Sequence, residues 1–152
     1  MSVKAKLVLA GLVGLTTLPT AAVEAQTPWV LIGRTAAHRI QHMREGQQGG
    51  PAYDFAAVIL EAPAAKVFAV ALDHARKNIA VEVTMVDQTG RRLRLADGSR
   101  TATLNVVPLS DDVSELYISG TAAPGEDATS SWVVQAVMRV CAEMKKTCEL
   151  AR

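Results

Sequence analysis

Four consecutive segments in the middle of the chain alternate apolar and polar residues with a period of two, which is typical of half-buried β-strands. They cover residues 79–86, 91–96, 100–109 and 113–120. In the second segment Leu93 and Leu95 alternate with Arg92 and Arg94, and an Asp-Gly hairpin signal ending at Gly98 follows. The pattern predicts an antiparallel meander with one covered and one exposed face.

The segments on either side of the meander predict one further strand and two helices. Residues 53–60 are apolar on both faces toward their end, as in a central strand. Residues 64–77 carry apolar side chains at helical spacing after Pro63, a residue suited to a helix start. Residues 131–145 carry a second helical stripe. The order β-α-β-β-β-β-α predicts a two-layer α+β sandwich with both helices on one face of the sheet.

The loop before the last helix, residues 122–131, contains candidate N-caps at Thr129 and Ser130. Trp132 begins that helix next to the loop. We interpret it either as a residue at the mouth of a pocket or as one that fixes the helix end to the core.

Residues 1–25 have the pattern of a secretory signal peptide. Lys4 and Lys6 precede an apolar run over residues 7–18, and small residues precede a cleavage site after Ala25. The apolar run is shorter than the roughly 20 residues that a transmembrane helix needs. We therefore expect a periplasmic or secreted protein. Because the leader contains no cysteine, we expect no lipid anchor.

Cleavage would leave an arm and Gly/Pro loop at residues 26–51 and a single domain at residues 52–152. The whole chain has 16 basic and 15 acidic residues, and the leader takes a net charge of +1 with it. The remaining chain is neutral and has no global field to attract nucleic acid or an anionic membrane. Residues 29–43 are ambiguous, because Ala36, Ile40 and Met43 fit a helical stripe whereas residues 29–32 are typical of an extended segment; we interpret them as a leading strand or arm.

Cys141 and Cys148 are the two cysteines of the chain. Export favours a disulfide between them. Seven residues of straight helix rise about 10.5 Å, whereas bridged Cα atoms lie within roughly 7 Å. A bridge therefore requires the helix to end near Lys145 or Lys146. The alternative is a continuous helix with two buried thiols.

Few residues form a recognisable chemical motif. Arg92, Arg94 and Arg100 are a candidate binding patch on the open face of the sheet, or simply a solvated face. His38 and His42 share one side of a helix or strand, but in a strand they lie about 13 Å apart at ~3.3 Å per residue. They are weak candidates for metal ligands, and we expect no metal and no cofactor.

The stretch LEAPAAKVF at residues 60–68, the strand before it, residues 100–109 and the final helix with its cysteines carry a resemblance. The layout resembles the TATA-binding-protein-like and helix-grip folds, and more closely a set of small exported bacterial proteins of unknown function. The resemblance covers roughly residues 53–150 and implies a fold, but it implies no activity.

Three functional hypotheses follow from these patterns. The leading one is a non-enzymatic exported domain that binds a protein, an envelope component or a small apolar ligand. The second is a small hydrolase-like enzyme whose site assembles only in space, with His38 or His74 beside a carboxylate. The third is an assembly module that pairs through an exposed strand edge.

Overall fold

The computed structural model describes residues 37–45, 52–123 and 126–152. Within those residues it contains one sheet of seven strands and two helices. Both helices pack on one face of the sheet, as predicted. The strands are β1 Arg39–Glu45, β2 Tyr53–Leu60, β3 Glu82–Asp87, β4 Arg92–Asp97, β5 Arg100–Pro108, β6 Ser114–Thr121 and β7 Glu149–Leu150, and the helices are α1 Ala64–Lys77 and α2 Trp132–Glu143. The predicted signal peptide lies outside the described residues.

The sheet has the strand order β3-β4-β5-β6-β2-β1-β7, and all neighbours are antiparallel except β1 and β7. The alternation predicted for β4, β5 and β6 is confirmed. Their inward-facing residues are buried under the helices: Leu93, Leu95, Ala102, Leu104, Val106, Leu116 and Ile118. Each fully buried Val, Leu or Ile side chain contributes roughly 1.5–3 kcal/mol to folding.

Both helices bury the apolar stripe that the sequence indicates. Val67, Phe68, Ala71 and Leu72 of α1 pack on the sheet together with α2 residues such as Val137. Pro63 lies at the N-cap of α1, and the carbonyl of Pro63 accepts the N–H groups of the first turn. No helix in the described part of the chain is long and apolar enough to cross a membrane.

β4 and β5 form the hairpin that the Asp-Gly signal predicts, with a two-residue loop. Asp97 pairs with Arg100, so that Gly98 and Ser99 form the loop. Gly98 has a φ of 59°, and this left-handed conformation favours glycine.

Two strands, β1 and β7, extend the sheet on the far side of β2. β1 pairs with β2, and the two-residue β7 adds to β1 in parallel. β3 begins at Glu82 rather than at Ile79 because Asn78 forms a turn, in which its side chain accepts the N–H of Ala80 and its carbonyl accepts that of Val81.

The end of α2 brings the two cysteines together. The helix ends at Glu143, and Lys145 follows with a left-handed φ of 56°. Lys146 N–H donates to the Cys141 carbonyl and Lys145 N–H to that of Ala142, which is the Schellman pattern. The chain turns back, the Cα atoms of Cys141 and Cys148 come within 6.1 Å, and the predicted disulfide is present.

Candidate functional site

A small cavity lies between the two helices and the sheet. Its walls combine the C-terminal half of α1, the first turns of α2 and the inner faces of β4, β5 and β6. Three alanines, Ala75, Ala102 and Ala136, leave the space that larger side chains would fill, and the volume is about 40 Å³. A buried water needs at least about 10–15 Å³, so that the cavity has room for a few atoms in this conformation.

His74 brings a polar atom to this apolar cavity. Its Nδ1 lies 3.6 Å from the carboxylate of Glu143 on α2. Its Nε2 is buried and has no hydrogen-bond partner among the described residues. A buried polar atom without a partner costs about 1–3 kcal/mol, which a ligand with one polar group would recover.

Trp132 lines the cavity from the start of α2. The guanidinium of Arg100 stacks over its ring, 5.0 Å from the centroid. Arg100 is itself held by Asp97 at 2.5 Å and by Glu126 at 3.3 Å. The indole is therefore fixed by a cation–π contact whose cation is held by two carboxylates.

A second polar cluster surrounds Asp54, which is buried on the helix-facing side of β2. His42 Nε2 donates to one carboxylate oxygen at 2.5 Å. Arg44 and the Ser131 hydroxyl donate to the other at 3.2 and 2.5 Å. Arg44 also donates to the backbone carbonyl of Glu126. The cluster ties β1, β2 and the start of α2 together.

Burial acts to raise the pKa of Asp54, but hydrogen bonds from Ser131, Arg44 and His42, together with the charge of His42, outweigh it and hold that pKa below its ordinary value. Asp54 is therefore a carboxylate at neutral pH. A charged acceptor surrounded by donors of this kind stabilises the junction of the three elements.

Serine, histidine and aspartate meet here, but not in the order that activates a nucleophile. His42 and Ser131 both donate to the same carboxylate. Ser131 is fully buried, and its oxygen also accepts the N–H of Val134. In nucleophilic catalysis the histidine must take the serine proton. The geometry makes this cluster a structural junction.

The N-cap of α2 is Ser131, so that the prediction of Thr129 or Ser130 is wrong. Asp127 is the reason, because its carboxylate accepts hydrogen bonds from both the backbone and the hydroxyl of each of those two residues. The hydrogen bonds from Thr129 and Ser130 lower the pKa of Asp127 to about 2.

The three arginines of the predicted patch do not lie together. Arg92 and Arg94 point to the open face, where Arg92 donates to Asn105 at 2.8 Å. Arg100 contacts Asp97, Glu126 and Trp132 instead. It shares the parity of Ala102, which faces the helices.

His38 and His42, the two weak candidates for metal ligands, lie in different local surroundings. His38 lies before β1 in a turn with a φ of 63°, whereas His42 is bonded to Asp54 within the strand. Among the residues that the structure describes, no group of three His, Cys, Asp or Glu side chains converges as a metal site would require.

No protein-family model matches the chain, and no curated protein matches it. Solved structures with a distant likeness include CalU16 from Micromonospora echinospora, at 10% identity and a TM-score of 0.42 over 70% of this chain and 78% of that one. The ZhuI aromatase/cyclase of Streptomyces sp. R1128 is 14% identical, with a TM-score of 0.35 over 70% and 89%.

The di-domain aromatase/cyclase BexL of the BE-7585A biosynthetic pathway is 15% identical, with a TM-score of 0.39 over 62% of this chain. This chain spans 44% of that protein's length. Likenesses at this level are too distant to give this chain a family or an activity.

Proposed function

We propose that this domain binds a small, largely apolar ligand between α1, α2 and the sheet and performs no chemistry on it. The observation that carries the proposal is the buried, unpartnered Nε2 of His74 beside a cavity whose other walls are mainly apolar. Ligand sites commonly combine an apolar lining with one or two placed polar groups that fix orientation.

The ligand must enlarge the cavity, because about 40 Å³ is well below the roughly 300–1,000 Å³ of typical small-molecule sites. Trp132 lines the cavity at the start of α2, and in this proposal its side chain moves to open it. Its contact with Arg100 is worth about 0.5–2 kcal/mol. Binding therefore includes the displacement of this indole.

Phenol and toluene test the proposal, since the two rings differ by the hydroxyl group that His74 would bond. In NMR titrations of the isotope-labelled protein, we expect both to shift resonances of cavity residues, with phenol the tighter. His74→Phe should abolish the preference for phenol, whereas the NMR resonances of Trp132 should still shift with both probes.

Two alanines of α2 provide a matched control pair. Ala136→Leu fills the cavity and should abolish both titrations, whereas Ala142→Leu on the exposed side of the same helix should leave them unchanged. No binding of either probe at millimolar concentration, or binding that survives in Ala136→Leu, would refute the proposal.

We further propose that the protein is exported and that residues 1–25 are removed after Ala25. The disulfide between Cys141 and Cys148 supports this, because such bonds persist in oxidising compartments. The intact mass of the protein from its own host should equal that of residues 26–152 less two hydrogens. A retained leader or two free thiols would contradict export.

A further inference from the structure

A groove of about 280 Å³ runs along the side of α1 that faces the β3–β4 turn, away from the cavity. Its wall on α1 is formed by Ala65, Phe68, Ala69 and Leu72, which are spaced three and four residues apart. Its polar rim includes Arg76 on the helix and Arg91 at the end of the turn. We call it the α1 groove.

Arg91 combines two features that, among the described residues, it shares with His38. Its backbone has a left-handed φ of 50°, a conformation that costs a side-chain-bearing residue about 1–2 kcal/mol. Its Nε is buried and has no hydrogen-bond partner within the described part of the chain. Strain and an unpaired polar atom at one residue of a groove are features expected of a binding position.

The preceding glycine does not relieve this strain. A Cβ at Gly90 would lie 2.3 Å from an oxygen of the Asp87 side chain, which would have to move to accommodate it. The Gly90 N–H also donates to that carboxylate at 2.8 Å. The Arg91 carbonyl meanwhile accepts the N–H of Val106 and fixes the start of β4. The left-handed residue is therefore the arginine that lines the groove.

The groove has an excess of positive charge. Asp73 is at its rim, but Lys77 neutralises it with a contact of 2.6 Å. Among the described residues, neither Arg76 nor Arg91 has a carboxylate within ion-pair distance. Guanidinium groups with free donors bind carboxylates well, and the alanines beside them offer an apolar surface.

We propose that the α1 groove binds an amphiphilic carboxylate, with the carboxylate between Arg91 and Arg76 and a short hydrocarbon chain along Ala69 and Ala65. The charge of the rim selects the anion, and the apolar wall selects the chain. The volume is close to the lower limit of small-molecule sites, about 300 Å³, which limits the ligand to roughly a medium-length chain.

Octanoate is the probe, with acetate and 1-octanol as its two halves. By calorimetry with the purified protein we expect octanoate to bind, and acetate and 1-octanol each to bind at least tenfold more weakly, which is about 1.4 kcal/mol. NMR shifts should map to α1 and the β3–β4 turn. Rising salt should weaken octanoate binding, because its carboxylate is held by charge.

Arg91→Gly separates binding from folding. Glycine accepts the left-handed backbone and removes the buried unpaired nitrogen, so that this variant should melt at a higher temperature than the wild type. It should nevertheless bind octanoate at least tenfold more weakly. Arg94→Gln, three residues along on the open face, removes the same charge and should leave octanoate binding unchanged.

Three results would overturn the proposal. They are no binding of octanoate at millimolar concentration, equal binding of octanoate and 1-octanol in the cavity-filling variant Ala136→Leu, and undiminished binding of octanoate in Arg91→Gly. The titration is independent of the cavity between the helices, because Ala136→Leu should leave octanoate binding intact. A negative binding result at one site therefore does not contradict the proposal for the other site.

Discussion

Asp54 shows how one residue can join segments far apart in the sequence. His42, which donates to Asp54 through a ring nitrogen, precedes it by 12 positions in the sequence. Ser131, which donates through its hydroxyl, follows it by 77. A buried carboxylate is costly alone, but here each oxygen accepts at least one donor. Asp54 thereby fixes the start of α2, and with it Trp132, relative to the sheet.

Asp54→Asn should lower the free energy of unfolding by about 2–4 kcal/mol, because an amide cannot accept from three donors as a carboxylate does. Urea unfolding at neutral pH measures this. Asp111→Asn, at an exposed turn, removes the same charge and should change stability by less than about 0.5 kcal/mol. Equal effects of the two substitutions would contradict the role of Asp54.

The lowered pKa of Asp54 determines how the difference in free energy of unfolding between wild type and Asp54→Asn depends on pH. A group whose pKa is lower in the folded than in the unfolded state stabilises the protein in full above its unfolded pKa, about 3.9 for aspartate. The stabilisation is lost as pH falls through the native pKa. The stability gap between wild type and Asp54→Asn should therefore narrow in acid, and a gap that widened would refute the assignment.

Lys145 is the residue in the left-handed position after α2, where glycine is preferred. Lys145→Gly should raise the free energy of unfolding by about 0.5–1 kcal/mol, as measured in urea. Ala142→Gly, an exposed position inside the same helix, should lower it by about 1 kcal/mol. If both glycines destabilised the protein alike, the backbone of Lys145 would not be strained.

At the scale of single residues, the sequence predicts which residues form the core better than it predicts the hydrogen-bond partners of polar residues. The inward leucines of β4 follow from alternation alone. Asp54 also carried a signal, since it has the inward parity of Ala56 and Val58, although its partners are invisible in a linear pattern. The left-handed φ of Arg91 had no signal, because the glycine before it was the obvious candidate for that conformation.

At the scale of elements, prediction succeeded where a period was long enough to read. The bounds of β2 and α1 agree with the predicted ones, and β4–β6 and α2 agree within one or two residues. β1 follows an ambiguous segment, and β7 has only two residues, too few for any period. Both depend on tertiary pairing, which local patterns do not contain.

The disulfide connects α2 to β7 across a short loop. Replacing both cysteines by alanine should lower the free energy of unfolding by about 2–3 kcal/mol, the amount expected for closing a loop of this length. Dithiothreitol should lower the stability of the wild type by a similar amount and leave the double variant unchanged. A wild type insensitive to the reductant would show that the bridge contributes nothing.

At the scale of the whole molecule, strand order determines where backbone hydrogen bonds are protected. β6 and β5 lie inside the sheet with a partner on each side, whereas β3 has β4 alone, and its register shifts between Val83 and Met85. Such irregularity discourages pairing of another chain with β3.

Hydrogen exchange should therefore be slowest in β5 and β6 and much faster in β3, as followed by mass spectrometry or NMR at neutral pH. The central strands open only by global unfolding, whereas an edge strand opens locally. Addition of octanoate should slow exchange in the β3–β4 turn and not in β6. Uniform exchange across the sheet would contradict this ranking.

The bridge also makes the C-terminus responsive to proteases in a way that depends on redox conditions. Trypsin cleaves after lysine, and the exposed Lys145 lies inside the loop that Cys141 and Cys148 close. In the oxidised protein a cut there leaves the last residues covalently attached, and β7 can stay paired with β1. In the reduced protein the same cut releases them. A single tryptic cut after Lys145 therefore removes the last residues in a reducing compartment and leaves them attached in an oxidising one.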